Sequence, residues 1–264
     1  MASILDRIKN LLGVFFGKQD DTIVASDSDT NTAGSQMGWP MPAGASADEI
    51  KLRELLQYTY MMAAVIAGTP PPAPYTQIDA KSSEFTGFQA AVYQGPQGQI
   101  VGAFAGTDPG SAMDIATDVV GSAAVTPQDV QAVLLARRVV AKYPQAIVVF
   151  VGHSLGGRLA AEASIATGRP AVTLNAAGVS TAAHLFAGGL GPDAPGARQR
   201  VTSYEVAGDI LSTGQEMTPL PVAFGMRVVL PNPGDRPLAS HSIAAAQASI
   251  QELLAKGATP GAAV

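Results

Sequence analysis

The stretch VFVGHSLGGRLA, residues 149–160, decides how the rest of this chain is read. Its first half continues AIVVFV (146–151), a run of apolar and mostly β-branched residues typical of a strand covered on both faces. Its second half places Ser154 between Gly152 and Gly156, with Gly157 next. That is a G-x-S-x-G turn from strand to helix, in which side chains at the glycine positions would clash and the serine would project above the sheet. With 28 glycines among 264 residues, chance alone places roughly 0.2 such matches in the chain. The pattern therefore gains its meaning from what flanks it: a buried strand before and an amphipathic helix, Leu155 to Thr167, directly after.

Working outward, a second helix begins at Thr126-Pro127 and ends near Tyr143-Pro144. The runs PAVTLN, VTSYEVA and MRVVLP read as further strands. FTGFQAAVYQ and QIVGAFAG, split by GPQG, read as a hairpin. A helix opens at Ser46, with Glu49 three residues on as a capping box, and stops at Gly68 before TPPPAP. HSIAAAQASIQELLAK is a last helix. Strands alternating with helices imply an α/β fold with a mostly parallel sheet and helices on both faces.

Residues 48–264 are expected to form that domain, and residues 1–47 an N-terminal helix and arm. Ile4, Leu5, Ile8, Leu11, Leu12, Phe15 and Phe16 share one helical face. From Gly17 to Ala47 the chain is polar and irregular and reads as a flexible arm. The opening residues lack the long apolar run and cleavage site of a Sec signal, and no run is long enough to span a bilayer. The expectation is a chain that stays in the cytoplasm or leaves by a non-Sec route; its N-terminal helix reads first as one that docks on the domain or a partner, and second as one in transient contact with a membrane surface.

Composition narrows the chemistry. The net charge is −5, without a block of lysine or arginine, which argues against a nucleic-acid partner. The absence of cysteine excludes disulfides and thiolate sites. Three scattered histidines make no metal cluster, and Asp114 and Asp118 read as solvated helix charges rather than a calcium site. No cofactor is expected.

A serine hydroxyl needs a base, and the base an orienting acid. His153 lies inside the turn and should point away from Ser154. His184, in AAHLFA, reads as a surface or packing residue. His241, between the last strand and the last helix, is the candidate base. Asp209 follows the strand VTSYEVA and is the candidate acid. Asp193 and Asp235 sit in Gly/Pro-rich turns, Glu205 lies within a strand, and Glu216 is a weaker choice. Stabilising a developing oxyanion needs two donors. The backbone N–H of Leu155 is one, and Thr107, in AFAGTD, is placed to be the other.

The ordered set FAGTD, spaced aspartates, GHSLGG, TLNAAG, VAGD and a late histidine resembles the fungal-lipase-like, or class 3, lipases of the α/β-hydrolase fold. The resemblance spans roughly Phe85 to Leu254. The chain departs from that family at Ala105, where an arginine is usual, and at Ile115, where a tryptophan is usual. The TLNAAG and GD pieces are similar to bacterial lipase-like effectors and phospholipases. The resemblance implies a serine esterase or lipase acting on lipid esters, of phospholipase A type among them, with Ser154, Asp209 and His241 as triad and Thr107 and Leu155 as oxyanion donors. The loops STAAHLFAGGLG and STGQEMTPLPVAFG are candidates for an acyl pocket or lid. Two alternatives share the fold: a hydrolase of non-lipid esters or thioesters, and a non-catalytic binding protein.

Overall fold

The computed structural model describes residues 36–106, 124–188, 196–234, 237–257 and 260–262. The expected N-terminal helix lies outside these, as do Thr107, Asp114, Asp118, Asp193 and Asp235.

Helix α1 spans Ala47–Ala67. Ser46 Oγ accepts the Glu49 N–H at 3.1 Å, but the Glu49 carboxylate turns to Arg53 at 2.9 Å, so only half of the expected capping box is seen. Gly68 closes the helix at φ 64°, where a side chain would be strained. Strands β1 (Thr76–Ser83), β2 (Phe88–Gln94) and β3 (Ile100–Phe104) follow. Helix α2 (Pro127–Lys142) starts from a complete capping box between Thr126 and Asp129. Then come β4 (Val148–His153), α3 (Leu155–Thr167), β5 (Ala171–Leu174), α4 (Thr181–Phe186), β6 (Val201–Val206) and α5 (Ile210–Glu216). β7 (Met226–Leu230), α6 (Pro237–Ser240), α7 (Ile243–Lys256) and the two-residue β8 (Gly261–Ala262) complete the order.

The strands form one sheet in chain order, β1 to β8. The pairings from β3 to β7 are parallel, and β1–β2, β2–β3 and β7–β8 are antiparallel. Right-handed crossovers that always step the same way put their helices on one face. The core agrees. Phe104, Phe150 and Ile100 pack under α2 and α3 in one cluster, while Val101, Val151 and Leu174 pack under α1 and α7 in the other. Burying each large side chain in these clusters contributes roughly 1.5–3 kcal/mol.

The segment read as a flexible arm ends differently. Met37 and Trp39 are buried in the α1–α7 cluster. Trp39 packs against Tyr58 and Tyr75, each with ring centroids 5.1 Å apart, and the Tyr75 hydroxyl donates to the Met37 carbonyl. Two tyrosines distant in sequence supply the partners that the polar local composition conceals. No helix among the described residues is long and apolar enough to cross a membrane.

Candidate active site

Ser154 stands between β4 and α3 with φ 57° and ψ −123°. A non-glycine residue there costs about 1–3 kcal/mol and persists only where its surroundings over-determine it. They do so here. The Ser154 N–H donates to Leu174 O at 3.0 Å, and Ser154 O accepts from Gly157 at 3.0 Å and from Ala177 at 3.1 Å. The two motif glycines are demanded by close approach. A Cβ on Gly152 would lie 2.0 Å from Gly156 O, and one on Gly156 would lie 2.2 Å from Phe104 O.

The structure brings the three candidate side chains into one hydrogen-bonded chain. His241 Nε2 lies 3.1 Å from Ser154 Oγ, and His241 Nδ1 lies 2.6 Å from Asp209 Oδ1. A carboxylate accepts, so Nδ1 carries the proton and Nε2 turns its lone pair to the hydroxyl. The other Asp209 oxygen is occupied as well. Oδ2 accepts from Ser212 N at 2.8 Å and Ser212 Oγ at 2.9 Å, because Asp209 is also the N-cap of α5. Both His241 and Asp209 are buried, which strengthens the pairing by excluding water.

The other candidates are engaged elsewhere. Glu205 and Glu216 both pair with Arg227. His184, expected on the surface or in packing, is buried with its ring 5.4 Å from Phe224. His153 has its ring 4.9 Å from that of His241, and its Nε2–H donates to the His241 carbonyl at 2.6 Å. Burial first, then the nearby His241, lowers the His153 pKa to about 4. It is thus a neutral donor at ordinary pH, holding the backbone of the residue whose ring reaches Ser154.

Leu155 is the first residue of α3, so its N–H belongs to the first turn that a helix cannot satisfy internally. Thr107 lies outside the described residues, but its neighbour Gly106 is beside the turn. A Cβ on Gly106 would come within 2.6 Å of His153 O and 3.3 Å of Ser154 Cβ. Of the two candidate pocket loops, the second packs against the chain after β5: a Cβ on Gly178 would meet Pro221 O at 1.9 Å.

Asn175, in TLNAAG, carries no role that its sequence announces. That residue is fully buried at φ 44°, and its side chain bridges Val206 N and Ser240 O, each at 2.9 Å. An asparagine ending a strand run, in a conformation few residues tolerate, is the only trace it leaves in the sequence.

The chain is similar to proteins described as phospholipases and lipases. The profile of the phospholipase-like family, described as a Tle-like phospholipase domain, matches residues 72–259. The chain is 40% identical over 156 residues to an extracellular phospholipase A1 of Serratia liquefaciens. That alignment takes in 56% of this chain, which spans 46% of the relative's length. A triacylglycerol lipase of Penicillium expansum superposes with a TM-score of 0.51 at 18% identity, over 74% of this chain and 84% of its own. A lipase–propeptide complex of Rhizomucor miehei gives 0.50 at 17% identity, over 71% and 69%. These two likenesses establish the α/β-hydrolase fold.

Proposed function

The chain belongs to the phospholipase-like family of the Tle-like phospholipase domain, and on that premise we propose that it hydrolyses carboxylic esters of lipids, with glycerophospholipid acyl esters as the preferred class. The observation that carries the reading is the chain of contacts from Ser154 through His241 to Asp209, set on the rim where β4 ends. The phospholipase A1 activity named for the Serratia relative supports the same choice of substrate.

In this reading His241 Nε2 takes the Ser154 proton as Oγ bonds to the ester carbonyl carbon. The carbonyl electrons move onto oxygen, and the N–H of Leu155 and a donor from Thr107 receive that charge. Asp209 stabilises the imidazolium. His241 then protonates the departing alcohol, here a lysophospholipid, and the acyl group stays on Ser154. Water attacks the acyl-enzyme with His241 again as base, releasing a fatty acid.

Contact with a lipid surface is the companion proposal. Ala105 N donates to Gln89 O, and Ala90 pairs with Phe104, so the β1–β2 turn lies at the same edge as Ser154. Phe85 stands in that turn 98% exposed. Ile210, directly after Asp209, and Met217, at the end of the same helix, are exposed as well. Aggregated lipid would meet these side chains before its ester reached the serine.

The test is Ser154→Ala assayed on diacyl phosphatidylcholine vesicles and on a short nitrophenyl ester. Both activities should fall by about 10⁴ or more with the fold intact. Undiminished hydrolysis by the variant would end the assignment. A wild-type enzyme active on the nitrophenyl ester but on no lipid would favour the non-lipid reading. Thr107→Val should lower turnover ~10²-fold if its hydroxyl serves the oxyanion.

A further inference from the structure

We propose that Asn175 is a positioning residue: its side-chain amide ties together the loops that carry the acid and the base, and so sets the reach of His241 to Ser154. The proposal rests on the serine-hydrolase reading above.

The base-bearing loop has little backbone support of its own. It is held by α6, a four-residue helix, and no strand ladder runs through Ser240 or His241. Two side chains from the centre of the sheet reach its carbonyls instead. Asn175 Nδ2 donates to Ser240 O at 2.9 Å, and His153 donates to His241 O at 2.6 Å. Asn175 also reaches the acid. Its Oδ1 accepts from Val206 N at 2.9 Å, and Val206 O in turn accepts from Asp209 N at 2.9 Å. Ser240 Oγ closes the ring by donating to Gly208 O at 2.9 Å.

Position 175 fits this use. It directly follows Leu174, whose carbonyl holds the Ser154 N–H. Its own N–H donates to Tyr204 O at 2.8 Å, which extends the β5–β6 pairing by one residue before the chain turns off at φ 44°. One planar group must there present an acceptor to an N–H and a donor to a carbonyl. Asparagine does both and tolerates the left-handed backbone. Aspartate lacks the donor, and a residue with a bare Cβ adds backbone strain.

Two variants separate positioning from mere stability. Asn175→Gly keeps the φ without strain and deletes both bonds. Asn175→Asp keeps the shape and the Val206 bond but loses the donor to Ser240. Each is assayed on a soluble nitrophenyl ester, with active sites counted by fluorophosphonate labelling of Ser154 and folding followed by thermal melts. For Asn175→Gly, kcat per folded molecule should fall by about 10–100-fold, the scale expected of an ångström-sized misplacement. KM should hardly move, because ground-state binding does not pass through this amide. Asn175→Asp should show the same signs. Variants that melt lower yet keep kcat would overturn the proposal, as would failure of both to fold, which would make the residue structural. If wild-type Ser154 does not label at all, the serine-hydrolase reading itself fails; equal labelling rates in wild type and Asn175→Gly sink only the positioning role.

Discussion

At Gly156 a single methyl group separates two opposed effects. Alanine would raise helix propensity in α3 by about 1 kcal/mol. Yet the added carbon would sit 2.2 Å from Phe104 O, inside any allowed contact and against backbone that cannot swing aside. The clash wins. Gly156→Ala should lose about 2–4 kcal/mol in urea unfolding, and a loss below 1 kcal/mol would mean that β3 can retreat. The same economy explains which residues sequence reasoning could find. Ser154 was legible because its glycines are forced by close approach, and Asp209 and His241 because few acids and only three histidines compete. The contacts of Asn175 and His153 escaped because what they hold is backbone, and a hydrogen bond to a carbonyl writes no partner residue into the sequence.

Helices α2 and α3 are joined by charges that look like surface residues when read along the chain. Arg158 and Glu162, four apart, match an exposed helical pair, but both are fully buried. Arg158 reaches Glu162 Oε1 at 2.9 Å and Asp129 Oδ2 at 2.7 Å. Asp129 Oδ1 and Glu162 Oε2 have no donor unless one carboxyl keeps a proton. Burial first, and Asp129 next, raise the Glu162 pKa to about 8 against an ordinary 4.5. From pH 4.5 to 8 the folded state therefore holds a proton that the unfolded chain has released. Glu162 thus contributes stability that is fully present below pH 4.5 and is lost as pH rises through 8. Glu162→Gln keeps the Arg158 acceptor and supplies a permanent donor to Asp129. Its melting temperature should vary less than that of wild type between pH 5 and 8, and should exceed it at pH 8. Parallel curves for the two proteins would refute a proton on Glu162. Elements at the margin were hidden for related reasons: β1, TQIDAKSS, is a polar edge strand made by pairing with β2 rather than by burial, and α5 is held by the Asp209 cap more than by any apolar stripe.

Across the whole molecule, the parallel sheet and its covering helices followed from the alternation of apolar runs, whereas the strand order needed coordinates because period-two patterning does not say which strand neighbours which. The turn at Phe85 shows the same division, since FTGF reads as the start of a strand, whereas residues 84–87 form the β1–β2 turn and β2 begins only at Phe88. Phe85→Ser should leave soluble-ester hydrolysis unchanged and reduce vesicle hydrolysis by about 10-fold or more, the value of burying one aromatic ring. Equal rates on vesicles would remove that turn from the lipid contact. Sequential strand order leaves one face of the sheet to α1 and α7, the outermost long helices of the fold. The nucleophile is translated 87 residues before the base, and the base directly before α7. A chain still emerging from the ribosome therefore holds the serine turn without the imidazole that reaches its hydroxyl and with one face of the sheet still lacking α7, so the contact between Ser154 and His241 can form only late in synthesis.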